Sequence, residues 1–145
     1  MHLNSNQIAA ILPQSYPFLM IDRVVDFKKG ESLTAVKNIT GNEWVFEGQP
    51  CQTGVFPETL LIEAAAQAAI LFYRLNDGGE QILSSRIFLG QVKAEFARPA
   101  RIGDQLALRT LSGKMLKTGG YMDVLASVKD EKIADVQIFY SLRRD

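Results

Sequence analysis

Residues 57–76, PETLLIEAAAQAAILFYRLN, constrain this chain more than any other stretch. Pro57 stands where a first helical turn would begin, and Asp77-Gly78-Gly79 supplies the stop just beyond. A helix of about twenty residues is about 30 Å long. This one is apolar nearly all round, so it must be enclosed by a sheet or by a second subunit rather than lie on a surface. Its apolar run, around Leu60–Tyr73, is too short to span a bilayer comfortably and carries Glu63 and Gln67.

The flanking sequence supplies the enclosure. Ser5 is expected to cap a short helix with Ile8, Ile11 and Leu12 on its apolar side, ended by Pro13. Ile21–Phe27 and Ser32–Thr40 read as a hairpin around Lys28-Lys29-Gly30-Glu31, and 42–54 reads as a loop punctuated by Gly48, Pro50 and Gly54. After the long helix, Ile82–Leu89, Val92–Arg98, Gln105–Met115, Tyr121–Lys129 and Ile133–Leu142 read as strands, with Gly90 among the breaks. The expected fold class is α+β, an antiparallel sheet wrapped around one long helix. At 145 residues the chain fits a single domain, 1–145.

Charge and residue type then remove whole classes of function. Sixteen basic and sixteen acidic residues cancel without blocks of one sign, so no whole-molecule field points to nucleic acid or to an anionic membrane. Cys51 is the only cysteine, and the start MHLNSNQIAA lacks the layout of a signal peptide, so a reducing, cytoplasmic setting is expected. No cluster of metal ligands, Gly-rich phosphate loop or Ser-His-Asp set is present, and neither metal nor cofactor is expected. Cys51 is a poor nucleophile candidate, because the only histidine is His2 at the terminus.

Glu63 is the strongest candidate for chemistry. An unpaired carboxylate in the context LLIEAAA is costly to bury, which points to a role. Gln67, four residues on, shares its helix face and can hydrogen-bond to it or to nearby backbone.

Four separated segments, LPQSYPFLMIDRV at 12–24, AVKNITGNE at 35–43, EAAAQ at 63–67 and FARPARIGDQL at 96–106, resemble the 3-hydroxyacyl-acyl-carrier-protein dehydratases over nearly the whole chain. The resemblance implies the hot-dog fold and a homodimer or trimer of dimers. It also implies an active site at the subunit interface, with a Glu from one chain and a His from the other. The matching Glu is Glu63. Fourteen residues before it, after Gly48, the place of the family's His is taken by Gln49. An amide is no usable proton acceptor near neutral pH. The family's Pro-Gly at the helix start, whose Gly N–H points at the thioester carbonyl, is here Pro57-Glu58. A carboxylate there can occupy the anion site that an oxyanion needs.

The resemblance implies catalytic positions at Glu63 and Gln49, and a substrate pocket drawing on Glu58, Gly54, Gln67, Tyr16 and Phe18. Phe88 and Phe96 are further candidates for an acyl tunnel, and Arg74, Lys93, Arg98 and Arg101 for a basic rim facing a carrier protein. The expected partners are acyl-carrier-protein or coenzyme A thioesters, a second copy, or a His-bearing homologue. Three readings follow: a dehydratase-family protein of a fatty-acid or polyene-type pathway with weak or absent dehydration, an acyl thioesterase using Glu63 and Gln49, and a non-catalytic acyl-binding subunit.

Overall fold

The computed structural model describes residues 2–48, 54–76, 85–116 and 118–144. Its first helix, α1 (Ser5–Ile11), begins one residue earlier than expected: Asn4, not Ser5, is the cap. Asn4 and Gln7 each bond the other's backbone N–H, at 3.0 and 2.9 Å, so the pair satisfies two donors that Ser5 alone could not. Ser5 instead donates to the Asp22 carbonyl.

Two strands, β1 (Arg23–Lys28) and β2 (Ser32–Asn38), form the expected hairpin. A short 3-10 helix (Trp44–Phe46) interrupts the loop that follows. The long helix α2 runs Glu58–Asn76, 19 residues. Its C-terminal Asn76 accepts from the Gly30 N–H at 2.6 Å, tying the helix end to the β1–β2 turn.

The remaining strands are β3 (Ser85–Phe96), β4 (Gln105–Leu116), β5 (Gly119–Val128) and β6 (Glu131–Arg144). The two strands expected on either side of Gly90 are one strand, β3. Its register against β6 shifts between Leu89 and Gln91, so Gly90 is absorbed as a bulge rather than ending the pairing. The six strands form one antiparallel sheet in the order β1-β2-β4-β5-β6-β3.

Inward-facing Leu33, Leu108, Val124, Val136 and Ile138 join Leu61, Ala65, Leu71 and Phe72 of α2 in one apolar core. Every residue from Ala64 to Ala69 is buried within the single chain. The sheet, together with α1 and the Phe18–Met20 segment, therefore encloses this part of the helix within one chain, as one of the two expected means of enclosure. What remains partly open is a narrower stripe with Ile62, Glu63 and Ile70. No described helix is long and apolar enough to cross a membrane.

Candidate functional site

Glu63 sits on that half-open stripe, one turn before Gln67. Period 3.6 puts the two side chains on one face, and the Gln67 Nε2 donates to Glu63 Oε1 at 2.9 Å. Gln67 is completely buried. Its other N–H goes to the Phe18 carbonyl at 2.6 Å, and its Oε1 accepts from the Met20 N–H at 2.8 Å. Both its N–H groups are thus occupied by the protein.

A second amide reaches the same carboxylate: Gln14 Nε2 lies 3.4 Å from Glu63 Oε1. Glu63 Oε2 receives no hydrogen bond among the described residues. Among the described residues one oxygen is held and the other has no partner, the arrangement a carboxylate needs to take or deliver a proton at a fixed position.

The segment carrying Tyr16 and Phe18 is pinned from two sides. Gln67 holds its backbone from below, and Trp44 Nε1 donates to the Pro17 carbonyl at 3.1 Å while its ring meets Phe18 edge-on. Tyr16 is 86% exposed and Phe18 50% exposed, so neither lines an enclosed tunnel within one chain. A surface pocket of about 390 Å³ lies beside them, with Asp22, Lys37, Glu43 and Trp44 in its lining. Between α2 and the β3–β6 edge, the pocket bounded by Ala66, Ile70, Tyr73, Leu89 and Tyr140 is only about 10 Å³, room for no more than a single water.

Gln49 lies outside the described residues, as does Cys51. The stretch is entered at Gly48, with φ +79°, and left at Gly54, with φ +50°. A Cβ at Gly54 would also stand close to Ile102, at 3.3 Å from its side chain, and the Gly54 carbonyl accepts from the Ile102 N–H at 2.9 Å. Glu58 is exposed in the first turn of α2 and makes no ion pair or side-chain hydrogen bond among the described residues.

The other sequence candidates are spread out. Phe88 is exposed, with Arg143 stacked over its ring at 5.5 Å, while Phe96 packs on the core. Arg74 donates to the Ile11 carbonyl and is held below its ordinary pKa by burial. Arg98 pairs with Glu131 at 3.0 Å, and Lys93 shares a surface pocket with Glu95, Asp123 and Asp135. Among the described residues no group of three or more His, Cys, Asp or Glu could hold a metal.

Two residues of the site escaped the sequence reading. Gln14 lies in the irregular segment between Pro13 and Pro17, where no periodicity assigns it a direction. Lys37 had a usable signal, because a two-residue period places it on the face of Leu33 and Ala35.

Comparison with known proteins accords with this geometry. A family model described as the FabA-like domain matches residues 12–137. The chain is 37% identical to a 3-hydroxyacyl-acyl-carrier-protein dehydratase FabZ of Paracidovorax citrulli, covering 97% of each. It is 36% identical to a bifunctional enzyme LpxC/FabZ of Chlorobaculum tepidum over 92% of its own length, and spans 28% of that longer protein. Among solved structures, the dehydratase heterocomplex ApeI:P from Xenorhabdus doucetiae superposes with a TM-score of 0.78 at 14% identity, covering 95% of this chain and 91% of that one. A mutant thioesterase of Pseudomonas aeruginosa gives 0.73 at 15% identity, covering 99% and 96%. The fold is thus the hot-dog fold, and the chain belongs to the FabA-like family, among relatives that are 3-hydroxyacyl-acyl-carrier-protein dehydratases.

Proposed function

We propose that this chain is a subunit of a dehydratase-type assembly acting on 3-hydroxyacyl thioesters of acyl carrier protein, with Glu63 as its working acid–base group. The observation that carries the reading is the half-buried Glu63 carboxylate, held at one oxygen by Gln67 and Gln14, with no hydrogen bond at the other among the described residues. In the reaction, a base removes a proton from the carbon next to the thioester carbonyl, the carbonyl oxygen gains charge, and an acid protonates the departing 3-hydroxyl, which leaves as water.

With Gln at 49, a homodimer lacks one of the two proton-transfer groups. Losing a positioned base costs about 10²–10⁴-fold, and a blocked oxyanion donor about 10²–10³-fold more. The chain alone therefore dehydrates weakly or not at all. In a mixed dimer with a His-bearing homologue, Glu63 meets the histidine of the other chain and that one site is complete. The heterocomplex nature of ApeI:P supports such an assembly. Phe88 and Leu89, exposed on the edge strand β3, and the open stripe of α2 support coverage by a second subunit.

The test is an assay of dehydration and hydrolysis of a 3-hydroxyacyl–carrier-protein thioester, by the purified chain and by its mixture with a His-bearing family member. The reading expects dehydration only in the mixture, abolished by Glu63→Gln and untouched by Gln49→Ala. Efficient dehydration by the chain alone would falsify it. A second reading, an acyl thioesterase using Glu63 and Gln49, is supported by the second Glu63 oxygen, which has no hydrogen bond among the described residues, and by the shared fold of the Pseudomonas aeruginosa thioesterase. Hydrolysis by the chain alone that disappears in Glu63→Gln would establish it instead.

A further inference from the structure

We infer that Lys37 is a positioning residue: its ammonium ties Glu43, on the arm entering the stretch that carries Gln49, to Phe56, on the arm leaving it. Lys37 is 5% exposed, a charge on the core-facing side of β2. Its Nζ donates to the Glu43 carboxylate and, at 3.0 Å, to the Asn38 carbonyl, and stands 5.8 Å from the centre of the buried Phe56 ring. Each arm is fixed locally as well. Glu43 Oε2 accepts from the Thr40 N–H at 2.8 Å, and Phe56 N–H donates to the Ala100 carbonyl at 2.8 Å. Those bonds set each arm against its own neighbour, whereas Lys37 contacts both arms.

The choice of a charge here is not explained by stability. Burying a Lys–Glu pair costs desolvation that roughly cancels the attraction, and an apolar pair of similar volume is often as stable. A point charge with three donors on a flexible stem does, however, fix two separate segments relative to one another. The tie therefore fixes the described arms, which end at Gly48 and resume at Gly54, relative to one another and to the helix start at Glu58. The inference depends on the proposed function only for which residue the arms present.

Amide hydrogen exchange on the full chain tests it without substrate, so its failure is distinguishable from failure of the functional reading. The amides to follow are Phe46, Glu47 and Phe56, each bonded within an arm or at its anchor. Lys37→Met should raise their exchange tenfold or more while Val124 and Ile138 in the sheet stay unchanged. Glu43→Gln should do the same to Phe46 and Glu47, the double variant should add little to either single change, and Lys37→Arg should restore most of the protection. If Lys37→Met does not fold, Glu43→Gln and Lys37→Arg carry the comparison. Unchanged exchange in the arms, or a uniform rise through the whole sheet, would overturn the inference.

Discussion

Replacing Gln67 by Leu should destabilise this protein far more than an apolar substitution inside a helix ordinarily does. The side chain is fully buried and satisfies three partners: the Met20 N–H, the Phe18 carbonyl and Glu63 Oε1. Glu63 is half-buried and can turn to water. Met20, at 2% exposure, cannot, and the Phe18 carbonyl is also partly enclosed. Each stranded buried group costs about 1–3 kcal/mol, offset in part by burying the leucine, so the net loss should be about 2–4 kcal/mol. For a chain of this size that lowers Tm by roughly 5–15 °C. Urea unfolding at fixed protein concentration measures the loss, since an oligomer's apparent stability depends on concentration. Exchange at the Met20 amide should rise with it. A loss below about 0.5 kcal/mol, with Met20 still protected, would refute the claim that Gln67 anchors the Tyr16–Met20 segment.

Tyr140→Phe should stabilise the protein by about 1 kcal/mol, because the buried Tyr140 hydroxyl has no hydrogen-bond partner among the described residues. Burial, and then the neighbouring Tyr73, also raise its pKa, so the wild type should lose stability as pH climbs past about 10, where the unfolded phenol ionises first. Denaturant titrations at pH 8 and 11 should show that alkaline loss shrinking in Tyr140→Phe; an equal loss in both would contradict the assignment. Gly120→Ala should cost at least about 2 kcal/mol, since its Cβ would stand 1.9 Å from the Lys114 carbonyl oxygen of the paired strand. A wild-type Tm in Gly120→Ala would show that the β4–β5 ladder yields there.

The parts of the fold that could be read from the sequence are those governed by periodicity. The bounds of α2 follow from Pro57 and the apolar run, and β4, β5 and β6 lie within two residues of their expected limits because alternation persists to their ends. Gly90 misled because a break and a bulge share one residue type, and only pairing with β6 separates them. The α1 cap shifted because Asn4 finds a reciprocal partner in Gln7. Within the site, Glu63 and Gln67 were legible as one helix face. Gln14 was not, since its role arises from a contact across 49 residues, and for Lys37 the strand period gives the buried face but not the contacts with two loop arms.

The most direct test of the account is a gain of function. If Glu63 is the surviving acid–base group and a histidine at position 49 is what the site lacks, Gln49→His together with Glu58→Gly should raise dehydration of a 3-hydroxyacyl–carrier-protein thioester by about 10²-fold or more over the wild-type chain. Adding Glu63→Gln should return it to the wild-type level. A folded, dimeric Gln49→His/Glu58→Gly protein with no gain, or a gain that survives Glu63→Gln, would contradict the assignment of Glu63 and position 49 to one site.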